Sequence, residues 1–521
     1  MSYLKQLDYR NIFLAFFSGI MLTAAFPRTG LDFFAWFALV PLLLAINNTN
    51  AVFFTGCLTG FVHQMTLVYW LVTAMHVYGN LPMITSVPLL ILLCIYLSVF
   101  TGLFCVLAKK LCQKPWHLIY APFLWVALEY VRSLTQFAFP WELLGYSQYL
   151  KLPLIQIADV TGVYGISWLI ILFNVAIVCF LLYTTRQSWN HFNVSITLVY
   201  AFLGCVIFFF VVFLTYGLFK MYHINQIIQT SQKQINVGVV QGNIDQSVKW
   251  DEKFRTQTIQ KHTIASLSEI HQNADLIVWP ETAVPIYIQQ KTALSKKLKN
   301  FIDNQSASFL IGGLRYDLSE IGQWKFYNSA FLLEPKKEKR QTYDKSHLVP
   351  YGEYIPFQTV FPFLKKFVQG VGDFSEGSAI EPLTWKQWSI GPQICYEILF
   401  PNISRKLVQS GADILVNITN DAWYGHSCAP YQHFSMTVFR AIENKRSLAR
   451  SANTGISGLI NPYGKIISES EIFTEANLNA PLPVLDVMTV YCQFGDIFAI
   501  FCCLIVVISV ILSVFYKNKG M

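Results

Sequence analysis

Three long runs of this chain carry no charge at all. From Phe33 to Ala108 there is no Asp, Glu, Lys or Arg, and the same holds for Gln187 to Phe219 and for Ile497 to Tyr516. About 20 consecutive apolar residues span the hydrocarbon core of a bilayer as a helix. Runs of this kind therefore point to a membrane protein. Composition agrees: 54% of the 521 residues are hydrophobic and 13% are charged, against about 25% charged in an average soluble domain. Between about Gln232 and Leu485 the composition returns to that of an ordinary soluble domain.

Eight spans are expected: Ile12 to Ala25, Phe33 to Ile46, Phe53 to Ala74, Ile84 to Ala108, Leu118 to Val131, Val163 to Tyr183, Ile196 to Phe219 and Phe494 to Tyr516. The first, second and fifth are short or interrupted. Orientation follows from the Lys/Arg bias of short loops. Lys5 and Arg10, then Lys109, Lys110 and Lys114, then Arg186, and finally Lys517 and Lys519 all fall on one face if the count is eight. That face is the cytoplasmic one, with both termini. The large segment between spans seven and eight then lies outside. The expected division is a membrane bundle over 1–231, a soluble domain over 232–485 and a last span with its tail over 486–521. The net charge of +8 is partly juxtamembrane and gives no nucleic-acid signal. Within the fifth span Glu129 and Arg132 are three residues apart, which suits an ion pair near the interface better than a headgroup site.

Nine of the 11 cysteines lie in or near apolar segments, where Cys acts as a small apolar residue. The soluble domain has only Cys395 and Cys428, too few for a disulfide framework.

Short apolar runs recur in the soluble domain: "INVGVVQG" ending at Gly242, "DLIVWPE" (275–281), "SFLIGGLR" (308–315), "NSAFLLEP" (328–335), "WSIGPQIC" (388–395) and "ADILVNITND" (412–421). Their length and β-branched content suit strands buried on both faces. Helix-period segments lie at 251–272, 404–411 and 433–452. Strands alternating with helices predict an α/β domain. In such sheets the residues at strand C-termini line the ligand crevice. Glu281, Cys395 and Asn420-Asp421 occupy such ends, and Lys345 sits in the loop "YDKSHLVPYGEYIP" (343–356) with Glu353.

A thiol is only a few per cent thiolate at neutral pH. A nearby ammonium lowers its pKa, and a carboxylate can take its proton. Glu281, Lys345 and Cys395 supply these three parts, but spacing alone does not bring them together. Taken singly, a strand-end Cys is core more often than nucleophile, and a loop Lys is usually solvated.

The contexts "VWPETAVP", "YDKSHLVPYGEYIP" and "ICYE", in that order, resemble the nitrilase superfamily. With the membrane spans, and with "VQGNIDQSVKW", "VPYGEYIPF", "NDAWYG" and "FPWELLGYSQ", the chain resembles the bacterial apolipoprotein N-acyltransferases over nearly its whole length. The resemblance implies an αββα sandwich joined to a helical membrane bundle, in a Gram-negative-type inner membrane with the soluble domain in the periplasm. It implies a phospholipid acyl donor and diacylglyceryl-cysteine apolipoproteins as acceptors. It makes Cys395 the nucleophile, Glu281 the general base and later acid, and Lys345 the oxyanion stabiliser. Glu353 and Glu397 match further acidic positions, expected to position Lys345 or the incoming amine, and the Tyr396 N–H is a second oxyanion donor.

Trp250 and Tyr351 fall in the matching motifs as lid or substrate-contact residues. The apolar stretch 357–374 is expected either as an arm touching lipid through Phe357, Phe361, Phe363 and Leu364, or as a packed helix. Trp423 and Tyr424 are expected to shape the acyl pocket, and Asn420 and Asp421 to cap the turn that follows. His426 and His433 have no ligand cluster around them, so no metal or cofactor is expected, and the chain is expected to be a monomer. Three rival readings remain open here. A tethered amidase keeps the triad but leaves eight spans unexplained. A transporter calls for intramembrane ionisable groups. A scaffold has no use for a triad.

Overall fold

The structure is a computed structural model that describes residues 8–134, 138–246, 252–320, 322–350, 352–354 and 374–519. The chain divides into two compact units. One comprises 1–69, 87–221 and 494–521, and the other 70–86 and 222–493.

The first unit is helical. Its main helices are α1 (Tyr9–Ala24), α2 (Val40–Asn47), α3 (Val52–Leu67), α4 (Met83–Leu111), α5 (Tyr120–Leu134), α6 (Tyr164–Thr184), α7 (Ile196–Ser231) and, last in the chain, Ile497–Lys519. Three of these, α4, α6 and α7, are long and apolar enough to cross a membrane. A fourth candidate is α3 taken with the following Leu71–Tyr78, bent against it by 58°. The expected continuous span Phe53 to Ala74 is therefore broken. The chain leaves the helix axis where Trp70 is buried against the ring of Tyr424, 4.6 Å away between centroids. Tertiary packing overrides helical propensity at that point. Helix α7 has 36 residues, about 54 Å at about 1.5 Å per residue. That exceeds the roughly 30 Å hydrocarbon core, and its last turns, from Lys220 on, are polar. Glu129 is buried, and its Oε1 accepts the Leu144 N–H at 2.8 Å. This carboxylate braces the turn that opens the buried Leu144–Gln148 segment, a backbone role beside its electrostatic interaction with Arg132.

The second unit is built on two sheets. Its strands are β1 (Gln234–Gln241), β2 (Leu276–Val278), β3 (Val284–Tyr287), β4 (Ser308–Leu318), β5 (Trp324–Leu333), β6 (Gln341–Asp344), β7 (Leu383–Trp385), β8 (Trp388–Ile394), β9 (Ile414–Thr419), β10 (Ser447–Ala452), β11 (Gly458–Ile460), β12 (Ile466–Glu469) and β13 (Ala476–Pro483). One sheet runs β13-β1-β2-β4-β5-β6 with β3 on β4, and the other runs β12-β11-β10-β9-β8-β7. The central pairs β1–β2, β2–β4, β8–β9 and β9–β10 are parallel, and burial on both faces suits the apolar runs of β1, β2 and β9. Strand β13 carries Pro481 and Pro483 and pairs only with β1, and an edge is where a sheet tolerates proline.

Helices α8 (Arg255–Ser266) and α9 (Ala293–Asp303) bury Ile259, Leu298 and Ile302 in one core with Trp279, Phe309 and Phe331 of the first sheet. Helices α10 (Pro401–Gln409) and α11 (Ala429–Asn444) accompany the second sheet. Polar bonds tie sheet to sheet: Ser451 Oγ donates to Val240 O at 3.0 Å, and Asn243 N donates to Asn453 O at 2.9 Å. The result is the expected nitrilase-like α/β sandwich. The helix expected over 433–452 stops at Asn444. Lys445 turns left-handed at φ 48°, and residues Ser447–Ala452 become β10, a strand in the middle of its sheet.

Candidate active site

Strand β2 delivers the first carboxylate. It ends at Val278, the chain passes Trp279-Pro280, and Glu281 turns inward with 7% of its surface exposed. This turn presses on β4. A Cβ on Gly312 would stand 2.5 Å from Pro280 O and 2.7 Å from Glu281 Cα, so only glycine lets the two backbones approach. Strand β8 delivers the thiol. Cys395 follows Ile394 directly and holds φ at 52°, a strained value for a side-chain-bearing residue. Such strain persists only where neighbours over-determine it. Lys345 follows β6, its N–H bonded to Asn328 O at 2.9 Å and its side chain almost wholly buried.

The structure brings these groups together. Lys345 Nζ lies 2.8 Å from Glu353 Oε2 and 3.7 Å from Glu281 Oε1. Asn328, on β5, donates from one amide nitrogen to Glu281 Oε1 at 2.7 Å and to Glu353 Oε1 at 2.9 Å. The sequence reading missed Asn328, which stands at the head of a buried run without any motif of its own. Glu353 also accepts the Val349 N–H, which fixes its loop.

Burial alone would lower the Lys345 pKa, but Glu353, Glu281 and Cys395 together raise it above the ordinary lysine value. Lys345 is thus a fixed ammonium. Burial and the Glu281 charge push the Cys395 thiol up, and Lys345 pulls it down by less. The resting group is a thiol, where lysine proximity had suggested an acidified one. Passing its proton to Glu281 leaves the net charge of the pocket unchanged, and so avoids adding a charge to a buried site.

Glu397, expected to position Lys345 or the incoming amine, bonds to the loop that carries Lys345. It is fully buried; its Oε1 accepts from Tyr343 OH, Ser346 N, Ser346 Oγ and His347 N, and its Oε2 accepts Ile394 N–H. It binds the Lys345 loop to the Cys395 turn through backbone and hydroxyls. Burial raises its pKa despite these donors. Tyr396 is buried edge-on against Phe400. His347 lies between Lys345 and those rings, and burial with the Lys345 charge pushes it down to about 4.

Burial, and then the nearby Cys395, Asp421 and Glu281, push the Tyr424 hydroxyl well above its ordinary pKa. Trp423 meets Tyr78 edge-on at 5.6 Å, and Trp70 meets Tyr424. The segment 70–86 thus covers these two rings, a contribution no motif announced. Asp421 does not cap its turn. It binds Arg450 Nη2 at 2.8 Å and sits 2.9 Å from His433 Nδ1. His426 stacks on Phe473 instead. Trp250, Tyr351, Phe357, Phe361, Phe363 and Leu364 lie outside the described residues.

Two family profiles match this chain. The one described as the apolipoprotein N-acyltransferase N-terminal domain covers residues 18–176, and the carbon-nitrogen hydrolase profile covers 236–489. An apolipoprotein N-acyltransferase of Geobacter metallireducens is 38% identical over 95% of this chain and 93% of its own. The chain belongs to the apolipoprotein N-acyltransferase family. Members from Rickettsia prowazekii, 32% identical over 85% of both chains, and Photobacterium profundum, 30% identical over 88% of this chain and 86% of its own, are similar along most of their length. Family membership accounts for the pairing seen here, apolar helices in one unit and a carbon-nitrogen hydrolase sandwich in the other.

Proposed function

We propose that this protein moves an acyl chain from a phospholipid to Cys395, and from there to the α-amine of the diacylglyceryl-cysteine at the N-terminus of an apolipoprotein. The observation that carries the reading is the buried Lys345 held against Glu353 and Glu281 and acting on the Cys395 thiol, in a chain that belongs to this family.

Glu281 takes the thiol proton as sulphur attacks the ester carbonyl. The carbonyl π pair moves onto oxygen, where the Lys345 ammonium and the Tyr396 N–H receive the negative charge. Collapse breaks the ester C–O bond, and Glu281 returns its proton to the leaving lysolipid alcohol. In the second half the neutral amine attacks the thioester, Glu281 accepts an amine proton, and collapse expels the sulphur, which recovers that proton. One amide has formed, and the thiol is restored. Fixed donors of this kind are each worth roughly 3 kcal/mol. A covalent intermediate lets two bulky lipid-anchored substrates use one site in turn. A dry wall of rings such as Trp423 and Tyr424 favours the amine over water. Glu353 fixes Lys345, while Trp250, Tyr351, Phe357, Phe361 and Phe363 serve as lid and acyl contacts.

In the same reading the helical unit crosses the inner membrane eight times, both termini are cytoplasmic, and residues 232–485 work at the periplasmic face. Counted as spans, α1 to α7 and the last helix make eight, and the Lys/Arg-rich loops fall on one side.

The test is direct. Purified protein is incubated with a phospholipid carrying labelled acyl chains, and the Cys395 peptide is read by mass spectrometry. Acyl label on Cys395, absent from Cys395→Ala and cleared by a diacylated peptide with a free amine, is the expected result. No label, or label cleared equally fast by buffer alone, ends the reading.

A further inference from the structure

Behind the nucleophile lies a buried polar cluster that the two half-reactions do not use. Asp421, His433, Arg450 and Asn417 are fully buried. Arg450 Nη2 donates to Asp421 Oδ2 at 2.8 Å, Arg450 Nη1 donates to Asn417 Oδ1, and Arg450 Nε donates to Ile456 O at 3.1 Å. His433 Nδ1 is 2.9 Å from both Asp421 Oδ1 and Arg450 Nη2, and Thr419 Oγ1 donates to Asp421 Oδ1 at 2.9 Å. Buried ions are costly, and packed apolar residues of similar volume often serve stability as well or better. A cluster retained at this position invites a reason other than stability.

Its far end is the backbone of Cys395. Asn417 Nδ2 lies 3.2 Å from Gln393 O and 3.5 Å from Cys395 O. The Cys395 carbonyl and the Tyr396 N–H belong to one planar trans peptide, where they point in opposite directions. Gripping the carbonyl from behind therefore sets where the N–H points in front. The strained φ of Cys395 makes that grip necessary, because a left-handed residue without it relaxes.

We propose that Asn417, oriented by the Arg450–Asp421 pair, is a positioning residue that clamps the Cys395–Tyr396 peptide and aims the Tyr396 N–H at the oxyanion. This rests on the acyl-transfer reading, in which that N–H receives charge. Arg450 grips the Asn417 side-chain oxygen and is itself held by Asp421 and the Ile456 carbonyl, which leaves the Asn417 amide nitrogen to the Gln393 and Cys395 carbonyls.

The test separates two chemistries of one sulphur. Alkylation of Cys395 by iodoacetamide forms no oxyanion, whereas acylation by phospholipid does. Asn417→Asp keeps the acceptor for Arg450 and removes the amide donor, and Asn417→Ala removes both. Both rates are followed on the Cys395 peptide in the full-length protein. Acylation is expected to fall about 100-fold in each variant, as for loss of one oxyanion donor, while alkylation stays within about threefold of the parent. Unchanged acylation overturns the proposal. So does a parallel loss of both rates, which reports a damaged thiol or fold. If the parent protein itself takes up no acyl label, the acyl-transfer reading has failed and this inference falls with it, an outcome visible before any variant is made.

Discussion

Lys345 is hydrogen-bonded to Glu353 at 2.8 Å and stands 3.7 Å from Glu281, so the two carboxylates do not share it equally. The nearer one holds the ammonium, and the farther one is the group proposed to take the thiol proton.

Glu353→Gln removes the holding charge and keeps the shape. Lys345 then moves onto Glu281 and ties up the base. Acyl-enzyme formation is expected to fall about 100-fold, within the range for a lost general base. Single-turnover labelling of Cys395 checks this; a rate within about threefold of the parent excludes the division of labour.

Glu281→Gln should separate reactivity from acidity. Acylation is expected to drop by about 10³ because no base receives the proton. The thiol pKa should nevertheless fall, since burial, the Glu281 charge and the Asp421 charge raise it and one of these is gone. Ultraviolet thiolate absorbance against pH, compared with Cys395→Ala, reads the change, and a thiol that ionises at a higher pH in the variant contradicts the account.

Gly312→Ala tests the close approach of β4 to the Glu281 turn. A methyl 2.5 Å from Pro280 O forces backbone to move, because no flexible side chain can yield there. Strain of about 1–3 kcal/mol is expected in thermal unfolding, with acylation lowered about 100-fold because Glu281 is displaced by a fraction of an ångström or more. Full activity would mean that the turn adapts freely.

Asp421 gives a pH signature. Burial raises its pKa, but Arg450 and then His433 outweigh burial and hold it down at about 2, from 3.8. A depressed carboxylate stabilises the fold above its unfolded value, and that contribution is lost as pH falls through the folded value. The window is therefore about pH 4 down to about 2. The contribution is on the order of 2 kcal/mol at 1.36 kcal/mol per unit. Asp421→Asn should flatten the acid limb of the unfolding curve in that window, and an unchanged slope there removes Asp421 from the linkage.

The three central groups were legible because each follows a buried strand or sits in a loop dense in Pro, Gly and aromatics. Charge-free runs marked the helical unit, and β-branched runs marked most of the sandwich strands. Other features left no local trace. Asn328, Asn417 and Arg450 are polar residues inside strands, and their partners come from distant parts of the chain. The segment 433–452 reads as one helix because its period is helical almost throughout. Only the sheet, which needs a central strand between β9 and β11, decides that Ser447–Ala452 is extended. Strand β13 escaped notice because two prolines disguise it.

Residues 70–86 group with the sandwich although they run from just after helix α3 into the first turn of α4. A gene fragment encoding only 222–493 would thus leave Trp423 and Tyr424 without the rings that cover them, two bare aromatics in the turn that follows β9. Anyone seeking a detergent-free version of this enzyme would have to splice that short stretch back in, by a tether or a circular rearrangement, before expecting a tidy fold.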